Sequence, residues 1–289
     1  MRIVEKAPAK INLSLDVLHK RDDGYHEVNM IMTTIDLSDR IEIIEQPTDD
    51  INIVSSATFI PEDRRNLAFQ AAELIKQNYN INQGIKININ KHIPVAAGLA
   101  GGSSDAAATI RALNKLWDLN MSTTTMMDLA SQIGSDVSFC INGGTALASG
   151  RGNDIQPLPS PPSCWVVLAK PDLSVSTAEV YGGLNLNQAD HPNVSAMVRA
   201  IEQQDYRRMC ALMGNTLENV TMQKYLEVKQ IKEHMIRMDA DGVLMSGSGP
   251  TVFGLIRHES RAQRIYNSLN GFCHYVHAVR LYGAQSALD

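Results

Sequence analysis

Pro94-Val95-Ala96-Ala97-Gly98-Leu99-Ala100-Gly101-Gly102-Ser103-Ser104-Asp105-Ala106-Ala107-Ala108 is the stretch around which the chain is organised. Its glycines, Gly98, Gly101 and Gly102, let the backbone take positive φ and come close to a ligand. Ser103 and Ser104 offer N-cap hydroxyls, and the alanine-rich run after them reads as a helix through Trp117. A glycine loop opening onto a helix N-terminus presents unpaired N–H groups and the positive end of the helix dipole, a setting that favours phosphate. The familiar phosphate fingerprints do not fit: GxxxxGK[ST] lacks its lysine here, and GxGxxG fails as well. On this loop alone, an ordinary glycine-rich turn before a helix stands as the alternative.

Working outward, the chain has 289 residues, enough for one large core or two packed domains. A hydrophobic content of 44% with 20% charged residues belongs to a globular chain rather than a disordered one. A net charge of −5, with no basic run longer than Arg64-Arg65 or Arg207-Arg208, argues against nucleic acid as a partner. No apolar stretch approaches the ~20 residues of a membrane span, so no membrane association is expected. The opening Met-Arg-Ile-Val-Glu-Lys carries no apolar h-region, and a cytoplasmic location is the expectation. Cys140, Cys164, Cys210 and Cys273 form no CxxC pair and read as buried thiols. No HExxH or His/Cys cluster suggests a metal centre built by protein ligands.

Upstream of the loop, residues 2–18 read as a strand interrupted at Lys6–Lys10 and resumed from Ile11 with strict apolar/polar alternation. That alternation puts Lys10, Asn12, Ser14 and Asp16 on one face, either solvent or the wall of a cleft. Arg21–Glu27 is a turn setting Tyr25 beside His26, followed by separate strands at Val28–Ile35, Ile41–Glu45 and Ile51–Ser55. Asn66 caps a helix over Leu67–Asn78, with Leu67, Ala71, Leu74, Ile75 and Asn78 on one face, and Ile85–Ile89 returns to the sheet. Beyond the loop, Ser122 caps a helix over Thr123–Ile133, and Asp136 lies past its C-cap glycine, as a turn residue or as a carboxylate at the mouth of a cleft. Prolines 157, 159, 161 and 162 mark a boundary, dividing residues 1–160 from 161–289. In the second part Thr177 reads as a cap, helices are expected near 193–204, 205–214, 226–238 and 260–270, and strands at 165–169, 243–245, 251–256 and 275–280. Ser246-Gly247-Ser248-Gly249-Pro250 is a second glycine loop.

Pro8-Ala9-Lys10-Ile11-Asn12-Leu13, the loop from Pro94 to Ala107, and Ser246-Gly247-Ser248-Gly249-Pro250-Thr251, in this order, resemble the GHMP kinase superfamily from about Lys6 to Gly283. Asp23-Gly24-Tyr25-His26-Glu27 and Gly134-Ser135-Asp136-Val137 narrow the resemblance to members whose acceptor is a cytidine-diphosphate-linked methylated polyol used in isoprenoid precursor synthesis. Relatives often carry Met or Gly where this chain has Ala96-Ala97 and Ala100, and a methyl group is small enough for the cradle to survive. The resemblance implies an α+β chain of two domains: an ATP-binding half like the second domain of ribosomal protein S5 (1–160), and a ferredoxin-like half on the substrate side (161–289). The cleft between them would hold the active site.

It also implies an ATP-dependent phosphotransferase acting on an alcohol, with Mg²⁺, on a small molecule rather than a nucleic acid, as monomer or homodimer. By family position Asp136 would take the proton of the acceptor hydroxyl, and Lys10 would keep Asp136 charged and oriented. Pro94 to Ser104 would bind ATP, mainly through the main-chain N–H groups of Gly98 to Ser104, with Asn66 and Leu67 lining the adenine pocket. Ser103 or Ser104 is the candidate hydroxyl for Mg²⁺ carried on ATP. Tyr25 and Tyr181 would sandwich the cytosine, His26 would bond its edge, and Asn12 and Thr177 would hold polar parts of the substrate. Two rivals remain: a superfamily member acting on mevalonate-type or sugar acceptors, and a noncatalytic nucleotide- or RNA-binding module. The negative charge of the chain implies that positive potential is local to the cleft.

Overall fold

The computed structural model describes residues 1–281, so Gly283, the far end of the family resemblance, lies outside the described residues. Strands β1 (Arg2–Lys20) and β2 (His26–Gln46) form a long antiparallel pair. The expected break at Lys6–Lys10 does not occur, and the two runs expected at Val28–Ile35 and Ile41–Glu45 are one strand. β3 (Ile51–Ser55), β4 (Gly84–Asn90), β5 (Thr145–Ser149) and β6 (Asp154–Leu158) complete the first half's share of this sheet. β2 forks, pairing with β5 over Met30–Thr33 and with β4 over Arg40–Gln46.

β1 lies between β2 and a short edge strand, and its register against β2 shifts between Pro8 and Lys10 and again between Asn12 and Ser14. Each bulge turns the following side chains to the opposite face. Ala7, Leu15 and Val17 therefore pack into one core, whereas Ala9, Ile11 and Leu13 pack into another. This corrects the single shared face expected for Lys10, Asn12, Ser14 and Asp16. Lys10 and Asn12 line a cavity, while Asp16, beyond the second bulge, bonds His191 and Thr216 elsewhere.

Helices α1 (Leu67–Tyr79), α2 (Gly101–Leu116), α3 (Thr123–Ser131) and α4 (Ser135–Asn142) pack on the face that carries Ile41, Ile43, Ile85 and Ile87. Asn66 caps α1 by accepting from the Ala68 N–H at 2.9 Å, and Ser122 caps α3 by accepting from that of Thr125. The buried stripe of α1 is Ala68, Ala71, Ala72 and Ile75, turned from the expected one so that Asn78 faces out. α4 is a helix that sequence periodicity did not reveal, so Asp136 stands in its first turn rather than in a loop.

The second sheet runs β11 (Tyr275–Arg280), β7 (Trp165–Lys170), β10 (Val252–Ile256), β9 (Gly242–Met245), all antiparallel. Its residues Val166, Leu168, Phe253 and Leu255 share a core with Ala9, Ile11 and Leu13 and with helices α6 (Val194–Glu202) and α7 (Tyr206–Ala211). α9 (Leu226–Arg237) and α10 (Glu259–Leu269) cover the other face through Ile231, Met235, Ala262 and Ile265. Two short helices complete the chain: α5 (Thr177–Gly182), capped by Ser176 rather than the expected Thr177, and α8 (Glu218–Lys224), which sequence periodicity did not reveal. β8 (Gly214–Asn215) joins the first sheet in parallel beside Ser14 and Leu15, stitching the two halves together. All four cysteines are buried free thiols.

Candidate active site

A cavity of about 1000 Å³ lies where the N-termini of α2 and α4 meet the bulged middle of β1. The loop before α2 forms one wall through Pro94, Val95, Ala96, Ala97, Gly98, Ala100, Gly101, Gly102 and Ser103. Positive φ falls on Gly98 (74°) but also on Ala96 (50°) and Ala100 (57°), while Gly101 and Gly102 are already helical. An L-residue there costs roughly 1–2 kcal/mol, strain that the surroundings must hold in place. α2 thus begins at Gly101 with Ala100 as a left-handed N-cap that has no side chain to offer. The expectation that Ser103 and Ser104 cap the helix is corrected, since both sit in its first turn. The first helical bond is Ser104 N–H to Ala100 C=O, so the amides of Gly101, Gly102 and Ser103 have no acceptor within the helix.

Two residues of the expected ATP loop turn away from the cavity. Leu99 is buried in the inter-sheet core, and its carbonyl accepts from the Lys10 N–H at 3.1 Å. Ser104 is fully buried and donates its hydroxyl to the Pro8 carbonyl at 2.7 Å, which removes it as a Mg²⁺ candidate. Ser103 stays on the cavity wall, with no hydrogen-bond partner for its hydroxyl among the described residues. Asn66 and Leu67 line the same end of the cavity, beside Ile60 and Pro61.

Across from the loop, the buried Lys10 ammonium donates to Asn12 Oδ1 at 2.8 Å and lies 3.5 Å from Asp136 Oδ2. Asp136 stands in the first turn of α4, where the positive end of the helix dipole attracts negative charge. Its side chain is 32% exposed and faces the cavity, against 5% for Lys10. A cation fixed from behind and a carboxylate open in front make an arrangement that can receive a proton from a bound alcohol.

Tyr25, His26, Thr177 and Tyr181 line the cavity as well. The rings of His26 and Tyr181 lie 5.1 Å apart, tilted by 40°. Burial, with Lys20 nearby, pushes the His26 imidazole down, so the neutral ring prevails at neutral pH. Burial and the Asp136 charge push the Tyr181 phenol up to about 12. Thr177 and Ser248 share a hydroxyl hydrogen bond of 2.9 Å, bringing the second glycine loop to the same wall.

Sequence reasoning missed Lys20, Arg65, Lys91, Arg151 and Ser248, which also line the cavity. Lys91 is locked between two buried carboxylates, Asp39 and Asp105 (2.7 Å to the latter). Asp39 also accepts from the His92 and Ile93 N–H groups at 2.6 and 2.8 Å, fixing the chain just before Pro94. Burial raises the Asp105 carboxyl, with Lys91 opposing and Asp39 adding to the rise. Among the described residues no group of three or more His, Cys, Asp or Glu side chains could hold a metal.

Residues 66–144 and 197–274 match the sequence models of the GHMP kinases N-terminal and C-terminal domains. The chain belongs to the GHMP kinases, and with that family it is an ATP-dependent phosphotransferase. The 4-diphosphocytidyl-2-C-methyl-D-erythritol kinase of Geobacillus kaustophilus is 64% identical, and that of Bacillus subtilis 61%, each aligned over the whole of both chains. By that likeness it falls within the 4-diphosphocytidyl-2-C-methyl-D-erythritol kinase family. The crystal structure of a 4-(cytidine 5'-diphospho)-2C-methyl-D-erythritol kinase superposes with a TM-score of 0.82 at 32% identity, over 98% of this chain and 100% of that one. A homoserine kinase from Cytophaga hutchinsonii shares the fold at 21% identity, with a TM-score of 0.80 over 98% of this chain and 96% of that one. No helix among the described residues is long and apolar enough to cross a membrane.

Proposed function

We propose that the chain transfers the γ-phosphoryl group of ATP to the 2-hydroxyl of 4-diphosphocytidyl-2-C-methyl-D-erythritol, giving the 2-phosphate and ADP in the methylerythritol phosphate route to isoprenoid precursors. The observation that carries this is the 3.5 Å approach of Lys10 to Asp136 in the cavity walled by the glycine loop. Asp136 accepts the hydroxyl proton as the alcohol oxygen bonds to the γ-phosphorus and the bond to the bridging oxygen of ADP breaks. Lys10 orients Asp136 and offsets charge on the transferred group. The amides of Gly101, Gly102 and Ser103 hold the ATP phosphates, and Asn66 and Leu67 flank the adenine.

The donor set suits a Mg²⁺ ion that arrives on ATP, since its first shell would be phosphate oxygens, water and the Ser103 hydroxyl. When bound, Mg²⁺ neutralises phosphate charge. Tyr25 and Tyr181 stack the cytosine, each face contributing about 1–3 kcal/mol, while His26 reads its edge and Asn12 and Thr177 hold the polyol side. That aromatic platform sets aside mevalonate-type and sugar acceptors, which have no base to stack. The buried cation behind a cleft acid sets aside a noncatalytic nucleotide- or RNA-binding module. In the reading favoured here, residues 1–160 carry ATP and residues 161–289 close the substrate side, in the cytoplasm. Incubation with ATP, Mg²⁺ and the cytidyl substrate should yield a new monophosphate ester by phosphorus NMR; absence of that resonance, with substrate intact, would refute the assignment.

A further inference from the structure

The turn Gly150–Gly152 between β5 and β6 carries a cation that no sequence signature assigned. Its position is fixed by the Gly150 N–H donating to Glu27 Oε1 at 3.1 Å and by the Val28 N–H donating to the Gly150 carbonyl at 2.9 Å. Gly152 packs so tightly that an added Cβ would lie 2.6 Å from Met30 Cε and 3.8 Å from Ser135 Cβ, next to the acid. Arg151, between these glycines, lines the cavity and lays its guanidinium 4.8 Å from the centre of the Tyr25 ring. The turn therefore sits between the aromatic end of the cavity and Asp136.

Of the other cations of the cavity, Lys20 stands opposite His26 on β1, and the rest are committed elsewhere. Lys10 faces Asp136, Lys91 is enclosed by Asp39 and Asp105, and Arg65 is bidentate to Asp63. Arg151 has no carboxylate within ion-pair distance among the described residues. A base stacked on Tyr25 with its acceptor hydroxyl at Asp136 must lead its diphosphate linker across the interval between them. We infer that Arg151 is a substrate-binding residue that pairs with the diphosphate of the cytidyl substrate, leaving the Tyr25 ring face to do so. A planar guanidinium offers two parallel N–H donors to phosphate oxygens, and its resting place on an aromatic face holds it near the path without a direct ion pair, the carboxylate of Asp23 being near enough to feel its charge. The inference rests on the substrate reading given above.

The test is steady-state kinetics of wild type, Arg151→Gln and Arg151→Lys, with CMP and CDP as inhibitors competitive with the cytidyl substrate. A charge-assisted pair lost in Arg151→Gln should raise KM for the cytidyl substrate about 10- to 100-fold and leave KM for ATP unchanged. Arg151→Lys should fall between the two. The preference of wild type for CDP over CMP should shrink in Arg151→Gln, because CDP offers the guanidinium both phosphates of the linker and CMP only one. If CMP and CDP weaken equally, Arg151 serves only the Tyr25 platform and the inference is overturned, as it is if KM stays within about twofold of wild type. Wild type that fails to turn over the cytidyl substrate would instead refute the substrate reading and remove the inference with it.

Discussion

At the scale of single residues, the proposed mechanism divides the site into groups that react and groups that hold. Lys10 and Asp136 converge because a bulge on either side of the segment Lys10–Asn12 turns its polar side chains toward the helices, while Ala9, Ile11 and Leu13 fill the core between the sheets. Tyr25, proposed to hold the base, is 57% exposed, so its loss should not threaten folding. Tyr25→Ala is expected to raise KM for the cytidyl substrate about 5- to 100-fold, the worth of one stacked face, while KM for ATP holds. Equal rises for both substrates, measured by steady-state kinetics, would contradict the stacking role. The motif residues were legible in sequence because glycine, serine and charged residues at fixed spacings carry their own chemistry. Arg151 and Lys91 were not, because a lone cation in a turn carries no pattern until the fold shows what surrounds it.

Secondary-structure elements explain how the phosphate loop keeps its shape. An added Cβ on Gly98 would lie 2.3 Å from the Ser246 carbonyl oxygen, at a φ of 74° that disfavours any side chain. Gly98→Ala should therefore cost about 2–4 kcal/mol, combining left-handed strain with a backbone clash. Chemical denaturation should show a lower midpoint and kinetics a weaker KM for ATP; a midpoint within error of wild type would contradict the close approach of the two glycine loops. Ala100 presents the reverse case, since its φ of 57° strains an alanine where glycine would be at ease. Ala100→Gly should leave stability unchanged or raise it by up to about 1 kcal/mol, against the loss of similar size expected for that exchange inside a helix. A loss of the full helical amount would show that Ala100 is not strained.

Alternation and capping signals located most elements to within a few residues, but two classes of feature escaped them. α4 and α8 are too short, at 8 and 7 residues, for helical periodicity to stand out from an apolar run. The bulge of β1 between Asn12 and Ser14 leaves no trace in the sequence, because strict alternation continues through it while the register against β2 shifts. That shift, invisible locally, decides which polar residues meet the ligand.

For the whole molecule, the halves share the core between the two sheets and are joined besides by the pairing of β8 with β1 and by the second glycine loop, which Asn215 braces from within the second half. Asn215 Nδ2 donates to the carbonyls of Met245 and Gly247 at 2.9 and 2.8 Å, and its Oδ1 accepts from the Leu217 N–H at 3.0 Å. The Ser246 hydroxyl in turn donates to the Gly98 carbonyl at 2.9 Å, connecting the second glycine loop to the first. Asn215→Ala should remove about 2–3 kcal/mol by leaving buried backbone groups unpaired, and should weaken ATP binding through the loosened loop. Thermal unfolding with and without ATP checks this; an unchanged Tm would mean that these bonds do not brace the second glycine loop.

The account rests on proton acceptance by one carboxylate beside a loop that grips ATP through its backbone. Its most direct test is turnover by Asp136→Asn with ATP·Mg²⁺ binding followed in parallel. The expected outcome is a kcat lower by at least ~100-fold with ATP affinity unchanged. A kcat near that of wild type would contradict the account.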